Sequence, residues 1–151
     1  MIHVGDVAEL VSLVGQSLGV SDWVRIDQPM ITRFAEATGD SNWYHIDIAR
    51  ASREMPDGKT IAHGWMLASL IPGLAQPLLQ IDRRQRALNY GSNRIRFVTP
   101  VQVGSRVRLH VRIDGVERRP GAVLMTRACT LEIEGHAKPA MVAEVLTLVY
   151  E

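Results

Sequence analysis

Residues 60–81, T-I-A-H-G-W-M-L-A-S-L-I-P-G-L-A-Q-P-L-L-Q-I, form the most apolar segment of this 151-residue chain and carry no fixed charge. The segment is long enough for a membrane span, but Ser69, Pro72 and Gln76 interrupt it, and segments patterned like soluble strands follow. We therefore predict no membrane span, and instead a long helix that is buried on almost all sides. The pair Pro72-Gly73 predicts a kink or an early end in this helix.

Beyond residue 86 the hydrophobic residues recur at every second position, which is typical of strands. Four strands are predicted, at residues 88–98, 105–113, 122–134 and 140–150. In the second, Val107, Leu109, Val111 and Ile113 fall on one face, and Arg106, Arg108, His110 and Arg112 fall on the other. The pattern predicts an antiparallel sheet with one face on a core and one in solvent. Since helices precede strands, we predict an α+β fold whose sheet wraps around the long apolar helix.

Length and composition narrow the class of protein. A chain of 151 residues is most simply one domain, residues 1–151, and buries enough surface for a real core. The single cysteine, Cys129, excludes an internal disulfide and a multi-cysteine zinc site. A net charge of +1 without a matching motif argues against binding to nucleic acid. The N-terminus lacks the pattern of a signal peptide, so a cytoplasmic location is expected.

The segment 34–45, F-A-E-A-T-G-D-S-N-W-Y-H, carries the candidate chemistry. A helix ending at Gly39 would place Asp40 on a turn, and His45 follows five residues later. If residues 41–44 fold back, the carboxylate and the imidazole can take a proton from one water and deliver one to a substrate carbon. The same residues are also compatible with purely structural roles. Asp40 would then accept hydrogen bonds from the backbone amides of the turn, and His45 would be solvated or would cap a helix.

Gly64, at the start of the apolar helix, is a second candidate. The first N–H groups of a helix are free and carry the positive end of its dipole, so a ligand oxygen can approach them. A donor of this kind is worth about 3 to 4 kcal/mol to a developing oxyanion. A glycine at this position also fits simple close packing of the helix on the sheet.

Two segments carry a resemblance to a known family. Residues 39–45, G-D-S-N-W-Y-H, resemble the signature G-D-x-N-P-[LIV]-H of the MaoC-like dehydratases and R-specific enoyl-CoA hydratases, from which Trp43 and Tyr44 depart. Residues 61–67 resemble the family's apolar-Ala-His-Gly-x-Leu element, with Trp65 as in the nodulation-protein-N-like branch. Residues 89–91 and 96–101 also resemble the family. The resemblance implies a single hot-dog domain over residues 1–151, usually paired edge to edge as a homodimer.

The resemblance also implies an activity, the reversible hydration of trans-2-enoyl-CoA to R-3-hydroxyacyl-CoA. Asp40 and His45 would be catalytic, with Asp40 assigned as the base and His45 as its partner, or the reverse, and the Gly64 N–H would polarise the thioester. No metal or cofactor is expected, because coenzyme A is part of the substrate. Alternatives are an acyl-CoA thioesterase and a non-catalytic acyl-CoA-binding subunit. The expected substrate-binding residues are Asn42, Trp43, Tyr44, His63, Tyr90 and Arg96.

The basic residues of the strands have two interpretations. Arg94 and Arg96, and the arginines of the polar face at 106, 108 and 112, could meet the phosphates of coenzyme A through bidentate contacts. They fit a solvated sheet face equally. The pattern does not choose between the two.

Overall fold

A computed structural model describes residues 1–151 and contains eight strands. The strands are β1 (Ile2–Asp6), β2 (Ser17–Val20), β3 (Val24–Arg25), β4 (Leu79–Arg83), β5 (Arg86–Phe97), β6 (Arg106–Arg119), β7 (Ala122–Ile133) and β8 (Met141–Tyr150). Six of them form an antiparallel sheet in the order β2-β6-β7-β8-β5, with β3 also paired to β6. The four predicted strands are β5 to β8, so the predicted antiparallel sheet is confirmed.

The helices lie between β1 and β4 in the chain. They are a 3-10 helix at Val7–Leu13, then α1 (Gln28–Thr38), α2 (Trp43–Ile46), α3 (Ile48–Glu54), α4 (Gly64–Ser69) and α5 (Ile71–Ala75), followed by a 3-10 turn at Gln76–Leu78. None of these helices is long and apolar enough to cross a lipid bilayer.

The apolar segment 60–81 departs from the single long helix that its composition suggests. It forms α4, α5, the 3-10 turn and then β4, with the first break at Leu70, just before Pro72. Proline has no N–H to donate to the carbonyl four residues back, here that of Ala68, and its ring crowds that carbonyl. The end of the segment is strand because β4 pairs in parallel with β1, placing Leu79 beside Ile2 and Ile81 beside Val4.

The core lies between the sheet and these short helices and contains one cluster of 28 buried hydrophobic residues. The predicted inner face of β6 is confirmed, since Val107, Leu109 and Ile113 are 0% exposed and Val111 is 2% exposed. An α+β fold with the sheet wrapped around the apolar helical segment is the hot-dog architecture expected from the resemblance.

The outer face of β6 carries ion pairs. Arg106 contacts Glu134 at 3.0 Å, Arg108 contacts Glu132 at 2.7 Å, and Arg112 contacts Asp114 at 2.6 Å. Three of the five candidate arginines therefore already have carboxylate partners on a solvated face.

Strand β5 forms one edge of the sheet and is exposed over nearly its whole length. Three of its large hydrophobic residues are open to solvent, with Leu88 48%, Tyr90 63% and Phe97 43% exposed, while Ile95 packs against the core. An edge strand of this length with apolar side chains is a surface on which another strand can pair.

Candidate active site

Helix α1 delivers Asp40 to the site. Asp27 caps its first turn by accepting a hydrogen bond from the Met30 N–H, and Gly39 ends it in the left-handed conformation at φ 78° with its N–H bonded to the Ala35 carbonyl. Glycine adopts this conformation without the steric cost of a side chain. The chain therefore reverses immediately before Asp40, whose side chain reaches the surface.

Helix α2 brings His45 back toward Asp40. Asn42 donates its side-chain Nδ2–H to Asp40 Oδ1 at 2.6 Å, which braces the turn between them. The His45 ring is buried, at 6% exposure, and its Nδ1 lies 2.7 Å from the Ile61 carbonyl oxygen. A carbonyl oxygen can only accept, so Nδ1 carries the proton, and Nε2 of the neutral ring keeps a free lone pair.

His63 is a second buried ring in the same cluster. It stacks on His45 with ring centroids 3.7 Å apart and an interplanar angle of 24°, and its Nε2 donates to the backbone oxygen of Asp40 at 2.9 Å. Its Nδ1 is buried without a hydrogen-bond partner. One ligand-type atom from each of Asp40, His45 and His63 falls in a group whose members all lie within 4.8 Å of one another.

Burial sets the charge of His45. Loss of solvation lowers the pKa of its imidazole below the ordinary value, and the neighbouring His63 ring acts in the same direction. The Ile61 carbonyl and the Asp40 carboxylate oppose this shift without reversing it. A neutral imidazole near pH 7 can accept a proton at Nε2.

The three side chains are not arranged to share a metal ion. A metal bound by imidazole lies in the plane of the ring at about 2.0 to 2.1 Å from the nitrogen. Two rings stacked 3.7 Å apart and nearly parallel direct their lone pairs along separate planes. The geometry favours proton transfer over metal coordination.

Gly64 opens α4 without any side-chain cap, so its N–H has no partner within the first turn. Helix α4 has only six residues, and its dipole is smaller than a long helix would provide. A Cβ at this position would lie 2.9 Å from the Phe97 ring, which shows that Gly64 also permits close packing. The backbone donor and the packing constraint are therefore both present.

The other expected binding residues divide into near and remote groups. Tyr44 packs edge-on against His45 with centroids 4.4 Å apart, and Trp43 lies under the Arg50 guanidinium at 4.2 Å. Arg96 lines a cavity near Gly64. Tyr90 is not brought to the cluster, because it lies seven residues before Phe97 along β5, or roughly 23 Å in an extended strand. Its side chain lines a separate hollow with Leu148 and Tyr150.

A cavity of about 900 Å³ runs between α4, α5 and β5 and begins at Trp65, the residue after Gly64. Arg94, Arg96 and the backbone of β5 form one wall, and this wall is the exposed sheet edge. Asp40 and His45 lie outside this cavity, beyond the first turn of α4. A thioester in the cavity would therefore have to pass Gly64 to reach them.

Sequence reasoning missed the residues that orient His45. Gln28 donates to the His45 carbonyl at 2.8 Å and accepts from the Thr60 hydroxyl at 2.6 Å, while Ile61 accepts from the ring. These partners lie 16 to 32 residues apart along the chain. No local pattern marks such contacts, and only the folded chain identifies them.

An antiparallel sheet around a short apolar helix, with an aspartate and a buried neutral histidine beside its first turn, defines a hot-dog protein with a proton-transfer site. The model of the MaoC like domain matches residues 9–132, and the chain belongs to this family of MaoC-like dehydratases.

Three similar proteins place the chain within the family. A 3-hydroxyacyl-thioester dehydratase Z from Mycobacterium tuberculosis is 47% identical over 139 residues, which is 91% of each chain. Nodulation protein N from Rhizobium meliloti is 39% identical over 149 residues, covering 97% of this chain and 92% of the relative. A solved (R)-hydratase from A. caviae involved in PHA biosynthesis has a TM-score of 0.67 at 25% identity, covering 85% of this chain and 94% of that one. The chain is thus an enzyme of the hydratase or dehydratase type, a hydro-lyase.

Proposed function

We propose that this protein is an R-specific enoyl-CoA hydratase that adds water reversibly to trans-2-enoyl-CoA and forms R-3-hydroxyacyl-CoA. The observation that carries the proposal is the convergence of Asp40 with a buried, neutral His45 whose Nδ1 proton is already committed to Ile61. Support also comes from the names of the relatives, a thioester dehydratase and an (R)-hydratase. No metal and no separate cofactor takes part in this reaction scheme.

The tautomer of His45 favours the second of the two assignments, in which His45 is the base and Asp40 is its partner. Since Nε2 of the neutral ring holds no proton, His45 must first accept one, and we assign it as the base that takes a proton from water. The oxygen of that water bonds to the β-carbon, and the proton passes from Nε2 to the α-carbon. The second hydrogen of the water stays on the oxygen and becomes the hydroxyl proton of the product; Asp40 accepts a hydrogen bond from it and stabilises the transient imidazolium.

Gly64 has a role in this scheme as a backbone donor. Negative charge develops on the thioester oxygen while water adds, and the free N–H of Gly64 at the start of α4 stabilises it there. The 900 Å³ cavity that begins beside Gly64 would hold the acyl chain or the pantetheine arm, with Arg96 and Arg94 on its wall. Among the candidate arginines, these two lack a carboxylate partner and best suit the phosphates of coenzyme A.

We further propose that the working protein is a homodimer paired through β5. The long apolar edge of β5 supports this, and so does the position of the cavity, one wall of which is that edge. A partner strand would cover the open side of the cavity. Light scattering after size-exclusion chromatography tests this directly, and a monomer at micromolar concentration would contradict it.

The decisive experiment follows the loss of the enoyl chromophore of crotonyl-CoA and of longer enoyl-CoAs. We expect His45→Ala to lower kcat by about 10² to 10⁴-fold, the range for removal of a general base. Asp40→Asn should lose less, since an amide oxygen still accepts from water. Unchanged turnover in both variants would remove the pair from the mechanism. Release of free thiol with the double bond intact would instead identify a thioesterase.

A further inference from the structure

Strand β7 places one arginine on the face that otherwise forms the core. Val123, Met125, Cys129, Leu131 and Ile133 share this face with Arg127. Arg127 is only 8% exposed. Its one side-chain hydrogen bond runs from Nη2 to the Thr147 hydroxyl at 2.8 Å, and its Nε is buried without a partner.

No carboxylate balances this buried guanidinium. All the aspartate and glutamate side chains within ion-pair distance of an arginine contact other arginines, at positions 50, 83, 106, 108, 112, 118 and 119. The nearby Cys129 does not supply the charge, because burial raises the pKa of its thiol to about 11 and keeps it neutral at pH 7. Burial also lowers the pKa of Arg127. A buried cation without an anion carries a large desolvation cost that a bound anion would offset.

Arg127 lines a cavity of about 440 Å³ between α5 and the inner face of the sheet. Two more arginines, Arg84 and Arg86, stand at its rim, and the rest of its polar lining consists of amides and the Thr147 hydroxyl. The lining contains no aspartate or glutamate. Arg86 is held in place over the Tyr150 ring, 4.1 Å from its centroid.

We propose that this cavity is a second binding site of the protein, specific for a small oxyanion, either a phosphate or a carboxylate group. Arg127 lines the cavity and supplies a buried guanidinium, while Arg84 and Arg86 draw the anion in from the rim. The planar guanidinium matches both oxyanions through paired hydrogen bonds. The volume falls within the range of small-molecule sites.

This site is separate from the Asp40–His45 cluster. Gly64 begins α4 and Gln76, which lines the cavity, follows α5, so the two are at most about 18 Å apart at 1.5 Å per residue. The cavity shares Pro72 and Asn89 with the 900 Å³ cavity that begins beside Gly64. The anion is therefore either a free metabolite or the charged far end of a ligand that also reaches the first site. Both sources present the same chemistry to Arg127.

Thermal unfolding of the intact protein, titrated with inorganic phosphate and with glutarate in low-salt buffer, tests the proposal. We expect a saturable rise in Tm, on the order of 5 to 10 °C at a hundredfold excess over Kd for a chain of this size. Arg127→Met should abolish the rise, and its Tm without anion should equal or exceed that of the wild type because an unbalanced charge is removed. Arg112→Met is the matched control, since Arg112 lies on the outer face of β6 and should leave the rise intact.

A second variant keeps the test decisive if Arg127→Met does not fold. Both rim arginines are exposed, so Arg84→Gln combined with Arg86→Gln should fold normally and shift the half-saturating anion concentration about tenfold upward. An unchanged titration in this variant, a flat response in the wild type, or an equal response in wild type and Arg127→Met would overturn the proposal. A flat wild-type response is also the result expected if a second copy of the chain supplies the missing acid.

Competition kinetics then identify the source of the anion. Adenosine 3′,5′-bisphosphate, the phosphorylated part of coenzyme A, and glutarate are each tested against enoyl-CoA hydration. If the anion that raises Tm also raises KM without lowering kcat, the site holds the charged end of the thioester substrate. If KM is unchanged, the site takes a separate metabolite. Because the Tm titration does not depend on activity, its outcome is independent of the proposed hydratase function.

Discussion

Replacing Gly64 with alanine separates its packing against Phe97 from the donor role proposed for its N–H. The new Cβ would lie 2.9 Å from Cγ and Cδ2 of the Phe97 ring, closer than real carbon atoms approach. Either the ring or the start of α4 must move by about half an ångström to restore normal contact. Overpacking of this kind costs about 1 to 3 kcal/mol of unfolding free energy, which is a fall in Tm of roughly 2 to 10 °C for a chain of this length.

The Phe97→Ala background removes the clash, because Phe97 is partly exposed and its ring supplies the three atoms nearest to the new methyl. We expect Gly64→Ala to cost little further stability in that background, so the two substitutions should couple by about 1 to 3 kcal/mol. Hydration of crotonyl-CoA is expected to behave differently. The methyl still stands beside the N–H that faces the thioester oxygen in the proposed mechanism, and kcat should stay depressed by about 10² to 10³-fold relative to Phe97→Ala alone.

The measurements are urea unfolding and initial rates on the wild type, both single variants and the double variant. If the double variant recovers both stability and kcat, Gly64 serves only the packing of α4 on Phe97, and the assignment of its N–H as the oxyanion donor is wrong. If Gly64→Ala loses no stability in the wild-type background, the reasoning about the Phe97 contact is refuted.

Three further predictions rest on single features of the structure. Because burial and the His63 ring lower the pKa of His45, kcat/KM should stay constant as the pH is lowered to below 6.5 and should fall only at lower pH. His63→Phe should shift this acid-side fall in kcat/KM to higher pH. A fall at or above pH 6.5 in the wild type would contradict the reasoning. For the same reason the protonated form of His45 is favoured in the unfolded chain, so urea unfolding should show stability declining as pH drops below 6.5, and His45→Phe should flatten that decline. Leu109→Ala, at a site 0% exposed, should cost about 2 to 5 kcal/mol by the same assay, whereas Val11→Ala, 62% exposed, should cost about 0.5 kcal/mol or less.

The strands of the sheet were predictable because their signal is local. In β6 every second residue is buried, and the alternation of Val107, Leu109, Val111 and Ile113 is visible in the sequence itself. The strand nevertheless runs to Arg119, beyond the predicted end at residue 113, because a bulge between Ile113 and Gly115 lets the pairing with β7 continue. A bulge depends on the partner strand, and the sequence of one strand does not show it.

The pairing of β1 with β4 was not predictable from local patterns. Ile2–Asp6 is short and lies at the N-terminus, while Leu79–Arg83 follows directly on an apolar helical segment. Each becomes a strand only because the other is beside it. In the first helix, Val7, Leu10, Val11 and Val14 stand at α-helical spacing in the sequence, but the 3-10 geometry repeats every three residues and buries Val7, Leu10 and Leu13 instead.

Part of the candidate site could also be predicted from the sequence. The left-handed Gly39 and the turn that carries Asp40 follow from residue types at fixed spacing. The position of His63 against both Asp40 and His45 does not follow from the sequence. The sequence indicated that His63 is a structural turn residue or contacts the substrate. The ring stacks and donates across 23 residues of chain, which only tertiary packing determines.

The two family-like segments, residues 39–45 and 61–67, are joined by three hydrogen bonds to backbone carbonyls. The Ile61 N–H donates to the Tyr44 carbonyl at 3.0 Å, the Ile61 carbonyl accepts from the His45 ring at 2.7 Å, and His63 donates to the Asp40 carbonyl at 2.9 Å. The same short loop that leads into Gly64 therefore fixes the tautomer of His45 and the position of Asp40. In the proposed mechanism the catalytic base and the oxyanion donor must be held within about half an ångström of their working geometry, and one loop holds both. The signature around Asp40 and the element around Gly64 are thus one structural unit, although sixteen or more residues separate their bonded groups.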